Sequence, residues 1–341
     1  MLESIWFVLW AVLWAVYFTL DGFDLGIGTL LTVFGKNEEQ RKTVYHSMGP
    51  FWDGNEVWLV AAGGVTFAAF PRAYAVMFSS LYSPLMIILF ALIIRGVAIA
   101  FREEHDGAAW KKMWDICLVV GSVIPAVFFG VAFANIFRGL PIGENGVYAG
   151  NLFSLLNLYG LAGGVLFLLL FTVHGSIWLR LKSEGELADR AASTASKLWT
   201  PLAVVAVIFL AATAFATGVY GNYIDMPPLF VIPIITVAAL VAVKIFLKSA
   251  SYWKAWFASA VTIFSATLFG VVGIYPNILP SSVENAYSVT IYNSASSPKT
   301  LKIMLGVVLV ILPIVIIYQV WTYKLFKDKI SEDDLAHGEG Y

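Results

Sequence analysis

Residues 49–64 read Gly-Pro-Phe-Trp-Asp-Gly-Asn-Glu-Val-Trp-Leu-Val-Ala-Ala-Gly-Gly, and they place two carboxylates, Asp53 and Glu56, in an otherwise apolar segment. These two acids are three residues apart, so on a helix they would share one face, with Trp52 and Asn55 turned elsewhere. The stretch is long enough to form most of a membrane span, yet it carries charge. The fold must explain that combination.

The first apolar segment has the same feature, because Asp21 and Asp24 stand three residues apart in Leu-Asp-Gly-Phe-Asp-Leu-Gly. A charged side chain at membrane depth costs several kcal/mol even on the gentler scales. Four acids in two neighbouring segments therefore imply an aqueous, paired or protonated environment. The glycines beside Asp21 and Asp24 favour a close approach of another helix.

The composition is that of a membrane protein. The 341 residues are 60% hydrophobic and 13% charged, and the mean hydropathy is +0.81. A soluble domain of this length has far more charge. The formal net charge of -1 argues against a nucleic-acid partner.

Metal chemistry within this chain is not expected. A single cysteine, Cys117, excludes an intrachain disulfide and a cysteine-ligated cluster. The four histidines do not have the spacing of a metal site; they are His46, His105, His174 and His337.

Nine apolar runs are long enough to cross a bilayer, which takes roughly 20 helical residues. They lie at about 5–34, 50–70, 75–98, 115–136, 152–178, 199–219, 229–247, 256–275 and 303–323. The sequence therefore predicts an all-α polytopic membrane protein with nine transmembrane helices in one integral membrane domain, 1–341.

The basic residues predict the orientation. With nine spans and the N-terminus outside, only Arg72, Arg138, Lys299 and Lys302 of the 21 Lys and Arg residues fall in outer segments, and Arg95 falls within a span. The rest lie in inner segments, as the positive-inside rule requires. Omitting the second span would reverse every later loop. We expect the N-terminus outside and the C-terminus in the cytoplasm.

All the ionisable residues within spans lie towards the predicted cytoplasmic side, at about 1.5 Å of depth per residue. Asp53 and Glu56 are nearest that side, and Asp21 and Asp24 are deeper. This asymmetry favours a half-channel open to the cytoplasm. The acids are candidates for a proton-uptake path or for structural interhelix pairs, and Arg95 is the candidate counter-ion.

His174 has two interpretations as well. An intramembrane histidine is the usual anchor of a b-type haem. Near a span end and beside Gly175, however, it is more often a hydrogen-bonding group. We favour the second interpretation.

Five motifs occur in order along the whole chain. Residues 21–28 read Asp-Gly-Phe-Asp-Leu-Gly-Ile-Gly, 52–59 read Trp-Asp-Gly-Asn-Glu-Val-Trp-Leu, and 91–98 read Ala-Leu-Ile-Ile-Arg-Gly-Val-Ala. The segment 174–187 begins His-Gly-Ser-Ile-Trp-Leu-Arg, and 289–297 reads Val-Thr-Ile-Tyr-Asn-Ser-Ala-Ser-Ser. Together these motifs make the chain resemble subunit II of the cytochrome bd-type quinol oxidases.

The resemblance implies a heterodimer with a haem-bearing subunit I in the bacterial plasma membrane. Each subunit would be two four-helix bundles plus a peripheral helix, here a first bundle at 1–137, a second half at 150–325 and a cytoplasmic tail at 326–341. Quinol would be oxidised at subunit I, electrons would pass through its b-type and d-type haems, and dioxygen would be reduced to water. Protons would come from the cytoplasm.

The resemblance also implies what this chain lacks. No residue here is expected to be catalytic, to bind a cofactor or to ligate a metal, since the haem ligands belong to subunit I. Membrane lipid and a small single-span accessory subunit are further expected partners. Two other functions stay open on the residues alone: a proton-coupled secondary transporter, and a purely structural scaffold for a catalytic partner.

Overall fold

The apolar runs form helices in the computed structural model, which describes residues 1–331. The α-helices are α1 (Leu2–Thr29), α2 (Leu31–Phe34), α3 (Glu38–Met48), α4 (Trp52–Ala69), α5 (Pro71–Ser80), α6 (Tyr82–Phe101), α7 (Ala108–Arg138), α8 (Leu152–Leu155), α9 (Leu158–Lys182), α10 (Gly185–Ala216), α11 (Tyr220–Asp225), α12 (Val231–Lys248), α13 (Tyr252–Gly273), α14 (Ile291–Ser294) and α15 (Pro298–Leu325). Of the predicted tail, residues 332–341, which include His337, lie outside the described part.

Short irregular elements join these helices. Four 3-10 turns occupy Arg102–Glu104, Glu144–Gly146, Pro227–Phe230 and Asn285–Tyr287. The loop between α13 and α15 contains a two-stranded antiparallel sheet, β1 (Asn277–Leu279) with β2 (Val289–Thr290).

Eight helices in residues 1–331 are long and apolar enough to cross a membrane: α1, α6, α7, α9, α10, α12, α13 and α15. The predicted all-α polytopic class is therefore confirmed. The predicted second span forms α4, which is 18 residues long. It falls short of the same apolar standard because its first two turns carry Asp53, Asn55 and Glu56.

The predicted third run, 75–98, is divided in the structure. Helix α5 ends at Ser80 and α6 begins at Tyr82, with Leu81 between them. Helix α5 starts with Pro71 directly after α4, in the first helical position, where the missing proline N–H costs no hydrogen bond.

Helix α1 lies at the centre and contacts α4, α7, α9, α13 and α15. Helix α4 runs antiparallel beside it. Near one end, Trp10 Nε1 donates to Thr66 Oγ1 at 2.8 Å; near the other, Asn55 Nδ2 donates to Asp24 Oδ2 at 2.8 Å. The two helices are thus side by side over most of the length of α4.

Helix α15 runs parallel to α1 and contacts both α1 and α4. Trp6 Nε1 donates to the Leu301 carbonyl at 3.1 Å, and Gln319 Nε2 donates to Asn55 Oδ1 at 3.0 Å. Since Asn55 lies beside Asp24, low numbers in α1 match low numbers in α15. Most of α15 is otherwise exposed on its outer surface.

Helices α1 and α9 cross without side chains between them. A Cβ at Gly26 would lie 1.8 Å from the Phe171 carbonyl oxygen, and one at Gly175 would lie 2.6 Å from the Phe23 carbonyl oxygen. Glycine at both positions lets the two backbones touch, a common device between membrane helices. The expected close helix approach at the first motif is therefore present.

A group of charged residues, here the Arg102 cluster, joins α3 to the end of α6 and the start of α7. The buried Arg102 donates from Nε to Asp115 at 2.7 Å and from both Nη atoms to Glu38 at 3.0 Å each. Arg41 Nη1 donates to the other Asp115 oxygen at 2.7 Å, and the Tyr45 hydroxyl donates to Asp115 at 3.2 Å. These bonds hold α3, which lies between α1 and α4 in the chain, against the end of α6 and the start of α7.

We expect Gly26→Ala to destabilise the protein, because the added methyl group would overlap the Phe171 backbone; overpacking of this kind costs about 1–3 kcal/mol. Thermal unfolding of the purified complex measures the change. Gly306→Ala is the matched control, since a Cβ there meets nothing within 4 Å. Equal stability of the two variants would contradict the close crossing.

The Arg102 cluster predicts a pH dependence at Glu38. Hydrogen bonds from Arg102 lower the pKa of this carboxyl from 4.5 to about 2. Because the folded-state pKa is the lower one, the ionised carboxylate stabilises the fold above about pH 4.5, and this contribution disappears as pH falls towards about 2. We expect Glu38→Gln to lower the free energy of unfolding at neutral pH by about 1 kcal/mol or less, since the carboxylate is half exposed.

Unfolding of Glu38→Gln and the parent, followed at about pH 7 and about pH 3, tests this sign. The difference between them should shrink at the lower pH. The control is Glu39→Gln, which removes an exposed acid that makes no ion pair within residues 1–331. A constant difference at both pH values would show that Glu38 acts only through its shape.

Candidate functional site

Arg95 of α6 is completely buried and lies against acids from two other helices. Its Nη2 atom is 2.7 Å from Asp21 Oδ1 on α1 and 3.3 Å from Glu56 Oε2 on α4. Asp21 is also fully buried, whereas the Glu56 side chain is 23% exposed. The ion pairs therefore join α1, α4 and α6 at one point.

Small residues allow this arrangement. Gly121 of α7 lies behind Arg95: a Cβ there would be 2.7 Å from the Ala91 carbonyl oxygen and 2.9 Å from the Arg95 Cβ. Helix α6 can therefore approach α7 closely while the Arg95 side chain extends to Asp21. Gly96 leaves room for the Trp52 ring, since a Cβ at Gly96 would lie 3.2 Å from that ring.

A second buried acid of α1, Asp24, is hydrogen-bonded by Asn55 of α4. Asn55 Nδ2 donates to Asp24, and Asn55 Oδ1 accepts from Gln319 Nε2 at 3.0 Å and from the Tyr323 hydroxyl at 2.9 Å. Two donors on the amide oxygen fix the orientation of the amide, so that the NH₂ group faces Asp24. We call Asp21, Asp24, Asn55, Glu56 and Arg95 the Arg95 cluster.

Several buried atoms of the Arg95 cluster have no hydrogen-bond partner within residues 1–331: Asp21 Oδ2, Asp24 Oδ1, Arg95 Nε and Arg95 Nη1. Leaving such atoms unpaired in an apolar environment costs free energy. Buried polar groups of this kind are the ones that internal water usually hydrogen-bonds. Internal water at these four atoms would complete their hydrogen bonding.

Asp53 is not part of the cluster. It is exposed on the outer face of α4, in line with Val57 and Val60, which are 53% and 71% exposed. The structure therefore brings together four of the five predicted residues, Asp21, Asp24, Glu56 and Arg95, and leaves Asp53 on a different surface. The i, i+3 spacing puts Asp53 and Glu56 near each other on α4, but Glu56 is partly buried against Arg95 whereas Asp53 is exposed.

Three residues of this site are not among the candidates predicted from the sequence: Asn55, Gln319 and Tyr323. Asn55 lies within the opening motif but carries no charge, so the cost of intramembrane charge does not single it out. Gln319 gives the clearest signal of the three, since it is a lone amide in the apolar run 303–323. Tyr323 resembles an interfacial tyrosine, the usual kind in such proteins.

His174 has both ring nitrogens engaged. Nδ1 is 2.6 Å from Ser259 Oγ, and Nε2 is 3.2 Å from the Thr19 carbonyl oxygen, to which it must donate. The ring is stacked on Trp256, with centroids 5.5 Å apart. Neither nitrogen points to a site where it could bind iron, so the residue does not fit haem ligation. Residues 1–331 also contain no group of three or more His, Cys, Asp or Glu side chains suited to a metal ion.

Comparison of the sequence with known proteins identifies one family. The family model for cytochrome bd terminal oxidase subunit II matches residues 2–326. The chain is 35% identical over 333 residues to the cytochrome bd ubiquinol oxidase subunit 2 of Bacillus subtilis, with 98% of each chain covered. It is 30% identical over 369 residues to the cytochrome bd-I ubiquinol oxidase subunit 2 of Escherichia coli K12, with 98% of this chain and 97% of the relative covered.

A solved structure has the same fold. The bd oxidase of Geobacillus thermodenitrificans contains a chain that matches with a TM-score of 0.74, covering 95% of this chain and 98% of that one at 18% sequence identity. With the family match over nearly the whole chain, the conclusion is direct: this chain belongs to the family of subunit II of the cytochrome bd terminal oxidases.

Proposed function

We propose that the Arg95 cluster takes up protons from the cytoplasm for the oxidase complex and passes them towards the haem-bearing subunit I. The chain is a subunit of a membrane-embedded bacterial terminal oxidase. Quinol is the electron donor in this proposal, as in the named ubiquinol oxidases of B. subtilis and E. coli. Quinol oxidation and the b-type and d-type haems belong to subunit I.

One observation carries the proposal: three carboxyl groups lie around one buried guanidinium, with Asp21 and Glu56 in contact with it and Asp24 held by Asn55. Arg95 balances one negative charge, and Asp21, Asp24 and Glu56 could supply three. Burying the excess charge would cost several kcal/mol. The cluster lowers that cost by holding protons, and a site that must hold protons can also exchange them.

The exposure of the three acids suggests an order. Glu56 is the partly exposed member, so it can meet water first. Its carboxylate contacts Arg95, which also contacts Asp21. With the N-terminus outside, Asp24 lies one turn nearer the cytoplasm than Asp21, so the row runs from Glu56 and Asp24 inward to Asp21. Protons would pass along this row through internal water, which the unpaired buried oxygens and nitrogens would bind.

Helix directions support the nine-span layout, and the distribution of Lys and Arg residues supports an N-terminus outside. Helices α1 and α15 are parallel to each other, and α4 is antiparallel to both. Parallel first and last spans require an odd number of crossings, so α4 would be the ninth crossing helix beside the eight more apolar ones. The two four-helix bundles would be α1, α4, α6, α7 and α9, α10, α12, α13, with α15 peripheral.

The outer face of α4 is the proposed contact with subunit I. Asp53 shares this face with Val57, Val60 and Phe67, all exposed in the isolated chain. A carboxylate facing lipid at this depth would be costly, whereas a partner subunit can supply hydrogen bonds. The Arg95 cluster lies directly behind this face, on the same helix.

A structural role is the second candidate, and a specific contact favours it. The Arg95–Asp21 pair is completely buried at 2.7 Å, and removing one partner of such a pair commonly costs about 3–5 kcal/mol. The cluster could therefore serve only to hold α1, α4 and α6 together. No contact in the described residues favours the transporter alternative.

The relay is tested with Glu56→Gln and Asp24→Asn in the complete complex. Both substitutions keep the shape and remove a titratable group. We expect quinol-oxidase turnover and proton uptake to fall about a hundredfold or more, the low end of what a proton-transfer group contributes, while haem content and quinol affinity stay unchanged.

The control is Glu104→Gln, which removes an exposed acid at the same end of the bundle, outside the cluster. Parent-like turnover and uptake in the doubly substituted complex would reject the relay. Loss of assembly with normal turnover per remaining haem would support the structural role.

His174→Ala tests the haem assignment. Because both ring nitrogens already have partners, we expect the optical spectrum of the assembled complex to keep all its haem bands at unchanged ratios to protein. Ser259→Ala, which removes the Nδ1 partner, is the companion variant. Loss of one b-type band from a stoichiometric His174→Ala complex would show that this chain ligates haem.

A further inference from the structure

A basic cleft opens at the end of the bundle where α9 ends, α13 begins and the chain leaves α15. Its volume is about 530 Å³, and it is lined by residues that include Arg180, Lys254, Lys327, Lys329, Tyr252 and Trp253. One carboxylate, Asp328, also lines it. Four cationic residues converge where a single acid is present.

Three of these cations have no acid partner within residues 1–331: Arg180, Lys254 and Lys327. The Arg180 guanidinium lies over the Tyr252 ring at 4.4 Å, and its Nε atom is buried without a hydrogen-bond acceptor. Lys329 pairs with Glu184 at 3.4 Å, on the exposed side. Arg180 is thus positioned against Tyr252 and has N–H donors whose hydrogen bonds an external anion could accept.

An apolar strip continues from the cleft along α13. Trp253, Phe257 and Val261 follow one another at four-residue spacing and are 45%, 60% and 44% exposed. They therefore form one stripe on the surface of a membrane-crossing helix. A tryptophan at the border between a charged cleft and an apolar stripe is typical of the membrane interface.

We infer that this cleft binds the phosphate group of an anionic phospholipid, with the lipid's acyl chains lying along Trp253, Phe257 and Val261. Basic pockets between membrane helices on the Lys- and Arg-rich side are suited to such headgroups. The apolar strip favours a lipid over a free phosphate ion, which would use the cations alone. The site lies on the second half of the chain, away from the Arg95 cluster, and is independent of the proton relay.

The chain's own acidic tail is the competing occupant. Glu332, Asp333 and Asp334 follow the cleft residues in sequence. Their negative charges complement the basic residues of the cleft, but these polar side chains would not cover the apolar strip. Removing residues 332–341 therefore belongs in the test.

The test is native mass spectrometry of the delipidated complex with added phosphatidylglycerol or phosphatidylcholine. We expect tight binding of phosphatidylglycerol and weak binding of phosphatidylcholine. Arg180→Gln and Lys254→Gln should each weaken phosphatidylglycerol binding about fivefold. Lys254→Arg should retain it, and so should the control Lys248→Gln, an exposed lysine that does not line the cleft.

The other outcomes are equally decisive. Equal retention of the two lipids, or equal loss in the Lys248→Gln control, would overturn the site. Displacement of the lipid by millimolar inorganic phosphate would identify a soluble anion as the ligand, and binding only after removal of 332–341 would identify the tail. If Arg180→Gln does not assemble, the double variant Lys254→Gln, Lys327→Gln takes its place, with the same expected loss.

Discussion

The ion pair between Arg95 and Asp21 is the contact on which the first half of the molecule depends. A guanidinium without exposure to water needs a carboxylate at hydrogen-bonding distance, and Asp21 provides it at 2.7 Å. That requirement fixes the depth of α6 relative to α1. It also requires the glycine at 121, since only a bare backbone in α7 lets α6 come close enough. The remaining acids of the cluster then gather around a charge whose position is already determined.

In the Arg95 cluster, the residues proposed to carry protons are also the residues that hold the helices together. Glu56 and Asp24 are bound by the groups that also hold the helices together, Arg95 and Asn55. A buried polar network is stable only when most of its donors and acceptors are paired. The unpaired oxygens of Asp21 and Asp24 are therefore a cost to the fold, and the proposed proton relay would give a physical reason for that cost.

Many features of the fold and of the Arg95 cluster could be predicted from the sequence, because they depend on properties that can be read along the chain. Apolar run length identified the eight most apolar long helices of residues 1–331. Charge asymmetry along the chain indicated an orientation, and the cost of intramembrane charge singled out Asp21, Asp24, Glu56 and Arg95. Contacts between distant segments could not be predicted. The role of Asn55 depends on two donors more than 260 residues away, and the outward direction of Asp53 depends on which face of α4 meets α1. The break between α5 and α6 at Leu81 was not predicted for a different reason. Hydropathy is averaged over many residues, so a one-residue interruption of a helix does not change it noticeably.

Helix α15 gives the cluster a dependence on biosynthetic order. It is translated after the other long helices of residues 1–331, yet Gln319 and Tyr323 donate both hydrogen bonds that orient the Asn55 amide. Membrane segments enter the bilayer broadly in the order of their synthesis. A nascent chain that has inserted only as far as α13 therefore holds Asn55 without these donors, and Asp24 without a fixed partner. The Arg95 cluster is therefore completed only when α15 is present. A polypeptide truncated before α15 can be inserted into the membrane and still lack the hydrogen bonds that orient Asn55.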